Sequence, residues 1–108
     1  MADSRRKGAN GELEIAHILN DMGIPAHRGY VQFKQSDLIG IAGIHPEIKR
    51  VEKLNIHEAM KQAVAEAEKR KDGRPTVFHR RNRTEWLVTM RLEDWVELYK
   101  GWKDGKRE

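Results

Sequence analysis

Cysteine is absent from the 108 residues of this sequence. The absence excludes a disulfide framework, a thiolate metal site and a cysteine nucleophile, and it fits a reducing compartment such as the cytoplasm. Long apolar runs are absent as well. None approaches the roughly 18 residues of a membrane-spanning helix, and the basic N-terminus lacks the apolar stretch of a secretory signal. We therefore expect one cytoplasmic domain over residues 1–108, with a basic arm at about 1–9 and a frayed tail at about 103–108.

Several motifs of known chemistry are missing too. The sequence has no phosphate-binding loop, no dinucleotide-binding glycine pattern and no serine or threonine nucleophile motif. Its five histidines include no pair spaced four residues apart and no HExxH motif. We therefore expect neither an organic cofactor nor a zinc site.

Positive charge is unevenly distributed along the chain, although the formal net charge is only +4. The segment 69–83 carries seven Lys and Arg residues against one Asp, and a second basic cluster lies at residues 5–7. Such segregation suits a face that binds a polyanion, because each neutralised phosphate releases counterions. The candidate DNA contacts in these segments are Arg5, Arg6, Lys7, Arg80, Arg81 and Arg83. The alternative is that both segments are basic loops that only face solvent.

Hydrophobic periodicity predicts three helices. The first spans about 10–22, where apolar residues recur at the spacing of one helix face. The second opens with Asn55 and Glu58, which have the spacing of a capping box, and it ends near 71–73. The third is short and begins near Leu92.

Short β-rich runs separate these helices. Residues 26–33 are predicted to be extended, and the runs 36–41 and 46–51 are predicted to form a hairpin with a four-residue loop. Two further strands are predicted at 76–79 and 85–90. The element order is thus α-β-β-β-α-β-β-α. We expect an α/β fold of the α+β-like kind, with a mixed sheet of about five strands flanked by helices and the middle helix as a crossover.

Two carboxylates and a lysine form the most informative constellation. Glu47 and Lys49 are two residues apart on a predicted strand, so their side chains leave the same face about 6.5 Å apart, and the hairpin brings Asp37 alongside. Carboxylate oxygens suit Mg²⁺ or Mn²⁺, while the lysine is suited to orient or deprotonate a water in phosphodiester hydrolysis. Glu12 borders the apolar face of the first helix and is placed to reach the metal. The structural alternatives are an exposed cross-strand salt bridge for Glu47 and Lys49, and a helix-dipole role for Glu12.

Four segments together resemble a known nuclease family. They are residues 6–14, 26–29, 36–39 and 47–49, with the sequences RKGANGELE, AHRG, SDLI and EIK. They are similar to the archaeal type of Holliday-junction resolvase in the PD-(D/E)xK nuclease superfamily, and to small phage- and prophage-encoded relatives. The similarity extends over about residues 5–90.

The resemblance implies a restriction-endonuclease-like core and a homodimer that cleaves DNA with Mg²⁺, for which Mn²⁺ would substitute. It assigns the active site to Glu12, Asp37, Glu47 and Lys49. The three carboxylates of this set would bind the metal. The resemblance also places Arg28 and the basic arm at 5–7 on the DNA.

The expected function is therefore a structure-selective endonuclease that resolves four-way DNA junctions in a prokaryotic or phage-infected cell. Two alternatives stay open. One is a non-catalytic nucleic-acid-binding module with a degenerate nuclease fold, and the other is a nuclease that acts on other DNA or RNA substrates.

A few remaining side chains have weaker expectations. Gln62 lies off the apolar stripe of the middle helix and is expected to face solvent. His45 and His79 are expected to be structural, with substrate contact as an alternative for His45. Base stacking is an alternative role for Trp102. The aromatic residues expected in the core or in a dimer interface are Trp86, Trp95 and Tyr99.

Overall fold

The computed structural model of the protein describes residues 4–30, 32 and 35–105, with side chains from residue 10 onward. Within that part the helices are α1 (Ser4–Asp21), α2 (Ile56–Arg70) and α3 (Leu92–Gly105). The strands are β1 (His27–Arg28), β2 (Leu38–Ile39), β3 (Ile44–Arg50), β4 (Arg74–Arg80) and β5 (Leu87–Met90). The predicted order α-β-β-β-α-β-β-α is therefore confirmed. None of the helices in the described part is both long and apolar enough to cross a membrane.

The strands form two sheets instead of the single five-stranded sheet predicted. β1 pairs antiparallel with β2, while β3, β4 and β5 form a mixed sheet in that order. β3 and β4 run parallel, with Ile44 opposite Arg74, and β4 and β5 run antiparallel. Because parallel neighbours need a long connection, α2 is the crossover between β3 and β4, as predicted.

The predicted hairpin between 36–41 and 46–51 is wrong. β3 begins at Ile44, inside the predicted loop, and its partner is β4. The four central residues of β3 are buried in succession, as are those of β4, which is the burial expected of strands covered on both faces. Pairing the two strands with each other therefore satisfies their backbones inside the core.

The three-stranded sheet lies between α1 and α2. Ile48 of β3 and Phe78 of β4 share a core cluster with Ile15 of α1. Val77, which points to the opposite face of β4, packs with Ala63 of α2. Each face of the sheet thus has its own helix and its own apolar cluster.

The ends of α2 follow from local chemistry. The Asn55 side chain accepts a hydrogen bond from the Glu58 backbone N–H at 3.1 Å, so the predicted N-cap is confirmed. Lys71 closes the helix in the left-handed conformation, and its N–H donates to the Ala67 carbonyl. These caps fix the length of the crossover that joins the two parallel strands.

Two predicted boundaries differ from the structure. α1 begins at Ser4, so most of the predicted basic arm at 1–9 is helical. The residues Arg5, Arg6 and Lys7 are good helix formers, which explains the early start. α3 continues to Gly105, so residues 103–105 of the predicted frayed tail are helical as well. Residues 106–108 lie outside the described part.

Candidate active site

Glu47 and Lys49 occupy the face of β3 that α2 covers. Glu47 is in register with Val77, whose side chain packs against α2, and neighbouring residues in register share a face. Lys49 lies two residues further along the same strand. Its Nζ is 3.8 Å from Oε2 of Glu47, and the Glu47 residue is only 7% exposed. The predicted pair therefore exists, at a buried position and not on an open surface.

Asp37 lies at the outer edge of β3. Within the described residues no strand pairs with that edge, and the Asp37 carboxylate accepts a hydrogen bond there from the Ile48 backbone N–H at 3.0 Å. The β1–β2 pair holds Asp37 in place, because the Gly29 N–H donates to the Asp37 carbonyl at 3.0 Å. Gly40 is also required for this arrangement of the backbone. It has a positive φ of 97°, and a Cβ there would lie 2.0 Å from the Pro25 carbonyl oxygen.

Glu12 reaches the same region from α1. Gly11 beside it is buried, and a Cβ added there would lie 3.1 Å from Cβ of Arg50, so the glycine lets α1 approach β3 closely. The Glu12 side chain is 20% exposed, and its Oε1 accepts a hydrogen bond from Nε of Arg28 at 2.9 Å. Arg28, a predicted DNA contact, is thus placed beside the predicted catalytic residues.

The carboxylates of this cluster perturb one another. Burial is the main cause that raises the pKa of Glu47 to about 7, and the negative charge of Asp37 adds to it, while Lys49 opposes the shift. The pKa of Glu12 is also raised, first by burial and then by Asp37, against the hydrogen bond from Arg28. The structure therefore brings Glu12, Asp37, Glu47 and Lys49 within electrostatic reach of one another.

Glu66 of α2 is a further acidic neighbour that the sequence interpretation missed. Its charge contributes to the raised pKa of Glu47, and its Oε1 accepts a hydrogen bond from Nε of Arg70 at 3.1 Å. A signal was available, because Glu66 follows the buried Ala63 by three residues and so borders the apolar stripe of α2. Gln62 on the same helix is exposed, as expected.

The donor chemistry of the cluster fits a hard divalent cation. In the part of the chain that the structure describes, no three His, Asp or Glu side chains converge into a ready ligand group. Glu12, Asp37 and Glu47 nevertheless supply carboxylate oxygens, the ligands that Mg²⁺ and Mn²⁺ prefer. A bound cation would also offset the repulsion from Asp37, which adds to the effect of burial on the pKa of Glu47.

The residues predicted to contact DNA differ in their exposure and in their contacts. The Arg80 side chain is 13% exposed, forms a bidentate pair with the Glu14 carboxylate and lies over the Trp86 ring, so it links β4 to α1. Arg81 and Arg83 are exposed in the turn after β4. The side chains of Arg5, Arg6 and Lys7 lie outside the described residues. The DNA contacts of all these residues stay predictions.

A cavity of about 660 Å³ opens at the carboxyl ends of β3 and β4. Its lining includes Lys53, His79 and Arg81. His79 is the register neighbour of Lys49. The cavity lining itself includes none of the four predicted catalytic residues, and it carries Glu52 and Glu85 as well as the basic side chains. The His79 Nε2 lies 2.8 Å from the Thr89 hydroxyl, and burial lowers the pKa of this histidine.

A hydrogen-bond network of Ser36, His45 and Asp72 lies next to the segments that carry Asp37 and Glu47. The Ser36 hydroxyl donates to the Asp72 carboxylate, and Nδ1 of His45 lies 2.7 Å from Oδ1 of the same carboxylate. Because an ionised carboxylate can only accept hydrogen bonds, Nδ1 of His45 carries the hydrogen and donates it to Asp72, as the Ser36 hydroxyl does. Ser36 precedes Asp37, and His45 lies two residues before Glu47 on the same strand face, so the network fixes both carboxylates through the backbone.

We expect His45→Ala to lower the free energy of unfolding by about 3 kcal/mol, because it leaves a cavity and removes a partner from the buried Ser36 and the partly buried Asp72. Urea denaturation would measure the change. His57→Ala, at an exposed position of α2, is the matched control and should shift stability by less than about 0.5 kcal/mol. Equal effects of the two substitutions would contradict a structural role for the network.

Comparisons of the chain with protein-family models, with curated proteins and with solved structures find no match.

Proposed function

We propose that this protein is a divalent-metal-dependent DNA endonuclease with a restriction-endonuclease-like core. One observation carries the proposal. α1, the segment before β2, and β3 bring Glu12, Asp37, Glu47 and Lys49 together at one edge of the sheet, around a carboxyl whose pKa is raised to about 7. The crossover from β3 through α2 to the parallel β4 further supports it.

Each side chain has a role that its position supports. Asp37, Glu47 and Glu12 would hold Mg²⁺, which supplies Lewis-acid activation of a phosphodiester and of a water when bound. Lys49, whose Nζ lies beside the Glu47 carboxylate, orients the attacking water and stabilises negative charge on the phosphate oxygens. Burial and the charge of Asp37 raise the pKa of Glu12, and Arg28 opposes that rise by donating to its Oε1.

The substrate proposal rests on the surfaces around this centre. Arg81 and Arg83 are exposed in the turn after β4, the strand that pairs with β3, and they offer positive charge to a phosphate backbone. The resemblance to junction resolvases favours a four-way DNA junction as the substrate, cleaved in the cytoplasm by a homodimer. In that case a dimer reads junction shape and not base sequence.

A non-catalytic nucleic-acid-binding module is the second candidate. It is favoured by the two ion pairs of the cluster, because Arg28 already neutralises Glu12 and Lys49 already faces Glu47. In that case the Arg28–Glu12 pair would serve only to hold α1 against β1, and the Lys49–Glu47 pair would only neutralise charge within β3.

A cleavage assay separates these possibilities. Wild-type protein and Asp37→Asn would each be incubated with Mg²⁺ and an immobile four-way junction, a linear duplex of matched sequence or a single-stranded RNA. We expect symmetric nicks in the junction, lost at least about 100-fold in Asp37→Asn and absent in EDTA. Asp21→Asn, at an exposed position of α1, is the control and should cleave as the wild type does.

The other outcomes have definite meanings. Equal cleavage of junction and duplex keeps the nuclease and removes the junction preference, and cleavage of RNA alone changes the substrate class. Tight, salt-sensitive DNA binding without cleavage by any of the three proteins would overturn the enzyme in favour of the binding module.

A further inference from the structure

α3 exposes a large apolar surface for a helix of 14 residues. The apolar side chains that are at least 40% exposed on this helix are Leu92, Trp95, Leu98, Tyr99 and Trp102. Of the three aromatic residues expected in a core or interface, Trp86 alone packs against the core cluster. Trp95 and Tyr99 are therefore not core residues.

The rest of the protein contacts the other side of α3. Asp94 is buried and accepts a hydrogen bond from Arg91 at 2.9 Å, and Glu97 accepts one from Arg74 at 3.2 Å. At 100° per residue, Glu97 lies on the side of the helix opposite the aromatic residues, and Asp94 lies about 100° from Trp95. The aromatic surface is therefore turned away from the sheet.

The aromatic rings pack on one another along the helix. The Trp95 and Tyr99 ring centroids are 5.3 Å apart at an angle of 12°, and those of Tyr99 and Trp102 are 5.8 Å apart. A base would have to separate these rings before it could insert between them. A continuous apolar strip of this kind fits another apolar strip better than it fits a series of bases.

We infer that this surface binds the same surface of a second copy, with the two α3 helices antiparallel. Leu92, Trp95, Tyr99 and Trp102 follow the 3-4-3 spacing of a coiled-coil seam. When two such helices run antiparallel about a two-fold axis near residue 97, Leu92 faces Trp102 and Trp95 faces Tyr99. Every large residue of the seam then has a large residue opposite it.

The helix dipoles favour the antiparallel orientation, because antiparallel neighbours place opposite dipole ends side by side. The acidic side chains of α3 do not decide the orientation. Asp94 is buried and Glu97 pairs with Arg74, while Asp104 follows Lys103 in the last turn.

The exposed apolar area of α3 limits the strength of the association between two copies. The exposed parts of its five side chains amount to about 500 Å² per copy, against about 800 Å² per partner in a typical specific complex. We therefore expect a reversible dimer with a Kd on the order of 1–10 μM.

The first test is the mass in solution without DNA, so that it does not depend on the proposed nuclease function. Light scattering at a protein concentration of about 100 μM, well above the expected Kd, should give twice the 12.6 kDa of a single chain. Trp95→Glu should return the single-chain mass with an unchanged circular-dichroism spectrum. Met22→Glu, which changes an exposed apolar residue in the turn after α1, is the control and should stay dimeric.

The second test uses the absence of native cysteine and leaves the aromatic residues intact. Leu98→Cys lies next to the proposed axis and should form a disulfide-linked dimer on mild oxidation. Leu92→Cys should not, because antiparallel pairing separates its two copies by about 15 Å along the helices. Faster cross-linking of Leu92→Cys than of Leu98→Cys would overturn the antiparallel arrangement.

The remaining outcomes overturn the inference as a whole. A wild-type protein that is monomeric at about 100 μM, or a Trp95→Glu variant that stays dimeric, would exclude this interface. A monomeric wild type whose DNA affinity falls on Trp95→Glu would assign the strip to nucleic-acid stacking instead.

Discussion

Glu47→Gln is expected to raise the free energy of unfolding at pH 8 by about 2 to 3 kcal/mol. In the folded protein the pKa of Glu47 is about 7, against an ordinary value of 4.5. Between pH 4.5 and about pH 7 the folded state keeps a proton on Glu47 that the unfolded state has released. The wild type therefore loses stability as the pH rises through this range. Glutamine cannot ionise, so the variant avoids that loss.

Urea denaturation at pH 4.5, 6 and 8 measures this effect. The variant and the wild type should be close at the lowest pH and diverge as the pH rises. Glu68→Gln, at an exposed position of α2, is the control and should follow the wild type throughout. A difference between Glu47→Gln and the wild type that does not change with pH would contradict the raised pKa. Mg²⁺ should stabilise the wild type at pH 8 and have less effect on the variant, because the cation offsets the repulsion between the Glu47 and Asp37 carboxylates.

Lys49→Ala is expected to reduce Mg²⁺-dependent cleavage by about 1,000-fold while it leaves DNA affinity within about twofold. In the proposed mechanism Lys49 acts on the water and on the reacting phosphate, whereas most of the binding free energy would come from phosphate contacts elsewhere. Single-turnover cleavage and a fluorescence-anisotropy titration at one salt concentration measure the two quantities separately.

Lys61→Ala, at an exposed position of α2, removes the same charge away from the site and should change neither quantity. A different pattern would support the structural alternative for the pair with Glu47. In that pattern Lys49→Ala lowers the free energy of unfolding by several kcal/mol, and the protein that remains folded cleaves at the wild-type rate.

The order of the elements was predictable because it depends on local signals. The capping residues Asn55 and Glu58 and the apolar stripe of α2 define a helix without reference to the rest of the chain. The partner of β3 was not predictable in this way. A run such as residues 44–50 shows that a strand is buried, but it does not specify which of two other buried strands it pairs with.

The candidate site likewise combines residues that local signals predict with residues whose positions depend on tertiary packing. Glu47 and Lys49 were predicted to share a face because alternation along a strand is a local property, and Asp37 was placed beside them by a hairpin that does not exist. Instead, the β1–β2 pair and a hydrogen bond from the Ile48 backbone hold the Asp37 carboxylate at that position. Glu66 was missed because its approach to Glu47 depends on how α2 packs on the sheet, which the sequence does not state.

The parallel pairing of β3 with β4 also bears on when the candidate site forms during folding. Ile44 pairs with Arg74, thirty residues later, whereas the β1–β2 and β4–β5 pairs join residues that are much closer in the chain. Contacts between distant residues carry the larger loop-closure cost and form late. Glu47 and Lys49 lie on the strand with this late pairing. A nascent or partly unfolded chain therefore holds its acidic residues apart, and the capacity to cleave would arise only with the completed sheet.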